Sequence, residues 1–313
     1  MANVGTFPLP KLPYLPLANV IHQFDSIHKR VYLATLSRRT AILVKSLRDI
    51  KVLGLNLIVL SDLKLDILRL DYNRIIRQEW TFQQNLYKPK FLFLVDYNRM
   101  KKLIDTMLFI FGLSGFEEVV VKREENGKLE LSRLQNRLWN VNTIKFERNY
   151  SSEFYNQVLG AFPSVRNVSM TGKPNYQVLT KKLEILKFSS QSLCNLSMVN
   201  CESLQLPTSA SFWIELNQFM KSWIQGRMRR LKHVHIQKMF PMHQNLILEG
   251  IEYREADPNR EKIFKSYSLN LWDPKTTVVR GGLDIESKDG ARATITVQNK
   301  GNGYLLWNMN VWD

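Results

Sequence analysis

One short pattern recurs through this chain and constrains its fold more than any other feature. It runs apolar, any two residues, apolar, any one residue, apolar. The copies are Ile50/Leu53/Leu55, Leu65/Leu68/Leu70, Phe116/Val119/Val121, Val141/Ile144/Phe146, Val165/Val168/Met170, Leu183/Leu186/Phe188, Cys201/Leu204/Leu206 and Leu231/Val234/Ile236. The last two apolar positions of each copy are two apart, so they share one face of a strand while the residue between them points the other way. From Val119 onward the middle positions follow at steps of 25, 24, 18, 18 and 30 residues, which leaves room for a strand plus a helix or turn.

Helical patterns occupy several of the gaps: 96–112, 129–139, 151–162 ended by Pro163, and 209–226. In the last of these Leu216, Phe219, Met220, Trp223 and Ile224 form a broad apolar face and Gly226 supplies the stop. Strand and helix alternating without tight turns between strands predicts parallel strands in a curved stack, a leucine-rich-repeat-like α/β solenoid. An irregular α/β domain is the competing expectation, because the pattern is permissive. Farther on, Leu283, Ile285 and Ser287 alternate with polar residues, Asp289-Gly290 is a hairpin turn signal, and Ala293, Ile295 and Val297 alternate back. With a last strand at 304–312, this antiparallel piece is expected to cap the open end of the stack; target binding is the alternative role for it.

The chain opens differently. Pro8, Pro10, Pro13 and Pro16 exclude helix interior from the lead-in, and helix can begin only at about Pro16. Leu17, Val20, Ile21 and Phe24 then recur at helical spacing. Val31, Leu33 and Leu36 mark a second helix, followed by the polar run Ser37-Arg38-Arg39-Thr40, and Ile42, Leu43 and Leu47 mark a third. Three short helices in about forty residues cannot build a large core alone, so the unit is suited to completing its core on a partner.

Phe7-Pro8-Leu9, Leu12-Pro13, the set Val20, Ile21 and Phe24 followed by Asp25, and Leu36-Ser37-Arg38-Arg39 resemble an F-box of the kind found in large nematode families. The link from Asp25 to His28 looks about one residue long for the pattern, and Arg30 stands where an apolar residue is usual. The resemblance implies docking on a Skp-type linker protein, and through it on a cullin, with Pro10, Leu12, Pro13, Leu15, Val20, Ile21, Phe24, Leu33 and Leu36 as the contact residues. A second resemblance, over 181–313, is to the type 2 F-box-associated region of the same families. It rests on Asn200 to Leu206, Leu216 to Trp223, Gly226, Arg230 to Ile236, Gly281 to Ile285, Asp289-Gly290, Ala293-Thr294 and Met309 to Trp312, with Arg227-Met228-Arg229 departing from the pattern. It also implies a short helix over 191–199. The expected organisation is an F-box at 7–48, a leucine-rich-repeat-like α/β region at 49–180, and the F-box-associated region with its C-terminal hairpin at 181–313.

Composition restricts the chemistry. A hydrophobic content of 44% with 23% charged residues describes a folded domain and not a disordered chain. No signal-peptide pattern or apolar run of membrane-spanning length is present, so an intracellular site, cytoplasmic or nuclear, is expected. Cys194 and Cys201 offer neither a disulfide framework nor a zinc site. There is no phosphate-cradling glycine loop, no Gly-x-Ser-x-Gly and no HExxH, so neither an enzyme nor a cofactor is expected. His233 and His235 share a strand face, which two ligands alone do not make into a metal site. The formal net charge of +16 raises nucleic acid as a partner, but no readout motif accompanies it. The sequence therefore supports a substrate-recognition subunit of a Skp/cullin/F-box ubiquitin ligase, with a basic nucleic-acid-associated protein as the alternative. Target contacts are expected on an exposed sheet face, at Lys145, Asn167, Lys187, Gln205, His233 and His235, against an acidic protein surface.

Overall fold

The computed structural model describes residues 18, 19, 21, 23, 27–46, 52–59, 63–71, 74–81, 97–122, 140–189, 196–206, 213–239, 244–269, 276–299 and 305–312. They belong to two compact units, Met1–Glu118 with Asn136–Asn140, and Val119–Gln135 with Val141–Asp313. The whole is mixed α/β. Among the described residues no helix is long and apolar enough to cross a membrane.

In the first unit, helices α1 (Ile27–Leu36) and α2 (Arg38–Ser46) are separated at the polar run. Ser37 and Thr40 cap each other: the Thr40 amide donates to Ser37 Oγ at 3.1 Å and the Ser37 amide to Thr40 Oγ1 at 3.1 Å. Ile21, Leu33 and Leu43 are buried together, with Ala18 and Val44 packed against them. Helix α3 (Tyr97–Phe111) packs on both α1 and α2 and buries Ile104, Met107 and Ile110 at helical spacing. The helical unit thus receives one packing partner from its own chain, beyond the partner protein that its small size suggests.

Three strands of the first unit, β1 (Val52–Val59), β2 (Leu63–Asp71) and β3 (Arg74–Thr81), form an antiparallel meander. This corrects the expectation for the first two repeat copies: Leu53/Leu55 and Leu65/Leu68/Leu70 lie on strands that run in opposite directions. Three residues separate β1 from β2, too few for the crossover that parallel strands need.

The second unit is where the repeat has its full effect. Strands β5 (Asn140–Phe146), β6 (Asn167–Thr171), β7 (Leu183–Ser189), β8 (Cys201–Leu206) and β9 (His233–Met239) are parallel neighbours, with β4 (Gly115–Val121) beside β5 in the strand order. Ile144, Val168, Leu186, Leu204 and Val234 pair directly across the sheet, and all five are fully buried. At about 2 kcal/mol for each buried aliphatic side chain, this row is the spine of the unit.

Helices α4 (Ser152–Ala161), α5 (Tyr176–Thr180) and α6 (Trp213–Ile224) stand between successive strands. Ser151 caps α4 by accepting from the Phe154 amide, and Tyr155 packs edge-on against Phe146 at 4.8 Å. Gly226, at φ 79°, follows α6 in a conformation that glycine adopts freely. The helical pattern at 129–139 lies outside the described residues, and of 191–199 the described part is a single 3-10 turn, Leu196–Met198.

Beyond β9 the sheet continues antiparallel. Strand β15 (Leu305–Trp312) pairs with β9, β14 (Arg292–Asn299) with β15, β13 (Leu283–Glu286) with β14, and the two-residue β10 (Arg254–Glu255) with β13. The turn at Asp289-Gly290 is as expected, with Gly290 at φ 87°. Two further strands that the sequence did not announce, β11 (Glu261–Lys265) and β12 (Thr276–Arg280), form a separate antiparallel ribbon. A short helix, α7 (Gln244–Ile247), is held to α6 by Asn217, whose Nδ2 donates to the carbonyls of Ile247 and Glu249.

Candidate functional site

The polar positions of the repeat fall into register as cleanly as the apolar ones. Lys187 pairs with Gln205, Gln205 with His235, and His235 with Asn308. Beside them Ser203 pairs with His233 and His233 with Asn310. All of these except the buried Ser203 floor a cleft of about 940 Å³ in the second unit, whose other side is lined by Ser266, Tyr267, Ser268 and Thr277 to Arg280.

The floor is ordered by side-chain hydrogen bonds. His235 Nδ1 lies 2.7 Å from Asn308 Oδ1, and His233 Nδ1 lies 2.9 Å from Ser203 Oγ, which is fully buried. With Asn308 Oδ1 as the acceptor, His235 carries its proton on Nδ1, leaving Nε2 as a bare acceptor. The two imidazoles stack at 6.0 Å, and Tyr267 lies nearly parallel to His233 at 5.7 Å.

Burial first, then the neighbouring His235, pushes the pKa of His233 down to about 4. Burial also holds His235 below the ordinary imidazole range; Asn308 opposes the shift and Lys187 reinforces it. Both rings are therefore neutral at neutral pH.

The cover is fastened to the strands below. Gln205 Nε2 donates to the Tyr267 carbonyl at 2.8 Å, and Lys265 Nζ reaches Glu184 at 2.8 Å and Glu202 at 3.4 Å. The Tyr267 hydroxyl donates to Glu202 at 3.3 Å, and burial, with Glu202 adding to it, pushes its pKa up to about 12. Arg260 makes a bidentate pair with Asp284, which also accepts from Thr294 Oγ1 at 2.7 Å, tying the start of the ribbon to β13 and β14.

Of the residues expected on an exposed target-binding face, Lys187, Gln205, His233 and His235 come together in the cleft. The expectation of an open face is corrected there, because Tyr267 and the ribbon lie over it. Lys145 is elsewhere, paired with Glu147 at 3.0 Å. Asn167 is buried, with its amide nitrogen on Asn142 and Thr143 and its Oδ1 without a partner. Polar residues on a sheet face suit either water or a polar cover, and periodicity does not distinguish the two.

Tyr267, Asn308 and β12 were missed. Asn308 and Asn310 had a signal, a polar alternation within the last strand, whereas Tyr267 had none.

Of the expected linker contacts, Ile21 and Leu33 face the interior of the helical unit while Leu36 is 47% exposed. Pro10, Leu12, Pro13, Leu15, Val20 and Phe24 lie outside the described residues. The Cys201 thiol is buried, and that burial pushes its pKa up to about 12, far from a thiolate nucleophile. Among the described residues no three His, Cys, Asp or Glu side chains are grouped to hold a metal ion.

The comparison with curated proteins and with solved structures found no match. Residues 175–236, which span strands β7 to β9 with α5 and α6, match the family model described as F-box associated, so this chain carries a stretch similar to an F-box-associated region.

Proposed function

We propose that this protein is a substrate-recognition adaptor of a Skp/cullin/F-box ubiquitin ligase. Residues 7–48 act as the F-box that engages the Skp-type linker, and the C-terminal α/β region holds a target protein. The match of residues 175–236 to the F-box associated model carries the reading, together with the ordered F-box features that precede it in the sequence. Exposed apolar side chains on the helical unit support it further: Tyr32 and Leu36, one turn apart on α1, and Ile42 on α2. In this reading the protein performs no catalysis of its own and acts inside the cell; the ubiquitin-transfer chemistry resides in the other subunits.

Co-purification of the full chain with a Skp-type linker tests the proposal. A stable complex is expected, lost in the double variant Leu12→Ala/Pro13→Ala. Salt-sensitive retention on nucleic acid with no linker bound would instead favour the basic nucleic-acid-associated alternative. Following the turnover of a captured target separates a ligase role from an F-box role outside ubiquitination.

A further inference from the structure

We propose that the cleft takes an acidic, extended peptide segment that adds as a strand to the open edge of β12 with a carboxylate seated at Lys187. This deepens, and rests on, the reading of the second unit as the target-binding part. The lining residues show how the elements meet the cleft. Strand β9 contributes His233, His235 and Gln237, and β15 contributes Leu306, Asn308 and Asn310, every second residue in each case. Those strands therefore present a face.

Strand β12 contributes Thr277, Val278, Val279 and Arg280 without a gap. Consecutive residues point to opposite faces, so, as for β14 over Ile295 to Gln298 where its pairing with β13 runs out, an uninterrupted run means that an edge of β12 meets the cleft. The edge is not the one used by β11, none of whose residues lines the cleft. Among the described residues β12 pairs with β11 alone. Its other row of amides and carbonyls is thus a template for an added strand.

The floor decides the chemistry of the segment. The row Lys187, Gln205, His235, Asn308 crosses four adjacent strands, about 14 Å at the usual strand spacing. Two of its members, Gln205 and Asn308, are already engaged with Tyr267 and His235. Lys187 forms no ion pair among the described residues, and both histidines are neutral. Glu255 and Arg280 also line the cleft, and Arg280 is matched by Glu261 at 2.7 Å. Glu255, on β10 and outside the row, has no ion pair among the described residues either; on the row itself the unmatched charge is the Lys187 cation, so a carboxylate seated there gains a charge-assisted hydrogen bond that a neutral or basic segment does not.

Fluorescence anisotropy of a labelled octapeptide of alternating Glu and Val, titrated with the full chain, tests this, with the Lys-Val octapeptide as its counterpart. The acidic peptide is expected to bind, the basic one not. Lys187→Gln should weaken binding about tenfold, the loss of one hydrogen bond to a charged group. Lys145→Gln, outside the cleft, should leave it unchanged. Hydrogen exchange should show new protection at alternate amides of Thr277 to Arg280 in the presence of the acidic peptide. Absence of binding, equal binding of the two peptides, indifference to Lys187→Gln or unaltered exchange in β12 would each overturn the proposal. Any of these with linker co-purification intact leaves the adaptor reading standing. Loss of the linker with peptide binding retained counts against the adaptor reading alone.

Discussion

His233 is a polar residue held where a charge is disfavoured. Its imidazole binds a proton near pH 6.5 in the unfolded chain but only near 4 in the folded one, because burial and the adjacent His235 disfavour the cation. Between those values the unfolded state binds more protons, so stability is fully present above about pH 6.5 and declines as the pH falls toward 4. His235 is shifted the same way and adds to the slope. Urea midpoints should hold from pH 7.5 to about pH 6.5 and fall from there to pH 5, above the range where ordinary carboxylates titrate; His233→Asn should flatten the decline, and an unchanged slope in that variant would contradict the assignment. Gly282 is constrained by its surroundings as well as by its backbone. At φ 102° it sits where an added Cβ would lie 2.6 Å from the Ile295 carbonyl oxygen, so the chain entering β13 closely approaches β14 here.

Among the elements, helix α2 begins on a reciprocal cap, and its start depends on two hydroxyls. Ser37→Ala should cost about 1 kcal/mol in the stability of the helical unit, read as a lower urea midpoint, whereas Ser46→Ala at the other end of the helix should cost less. The start of α2 was legible as the polar run from Ser37 to Thr40, and the parallel strands from β5 to β9 as the repeat copies whose middle residues now stand in one row. Strand direction was not legible from the same pattern, which is identical for parallel and antiparallel neighbours; the three-residue link between β1 and β2 carries that information. The ribbon was illegible for a different reason. Thr276, Thr277 and Val278 are all exposed, so β12 has no buried face to impress an alternation on its sequence. The site was half legible in consequence: its floor follows the repeat, and its cover does not.

For the molecule as a whole, the formal charge of +16 matters more for encounter than for the final contact. Association of the acidic octapeptide should slow about tenfold as salt rises from roughly 0.05 M to roughly 0.5 M, with dissociation changing less; stopped-flow anisotropy separates the two rates, and a salt effect confined to dissociation would place the charge effect in the cleft alone. The terminal strand β10 bears on the opposite problem, contact with the wrong partner. Only Arg254 and Glu255 pair there, and both are exposed. A border of two charged residues is too short and too strongly hydrated to nucleate cross-β stacking between copies. The fold thereby gains a resistance to self-polymerisation at the same end where it keeps a longer edge open for another chain.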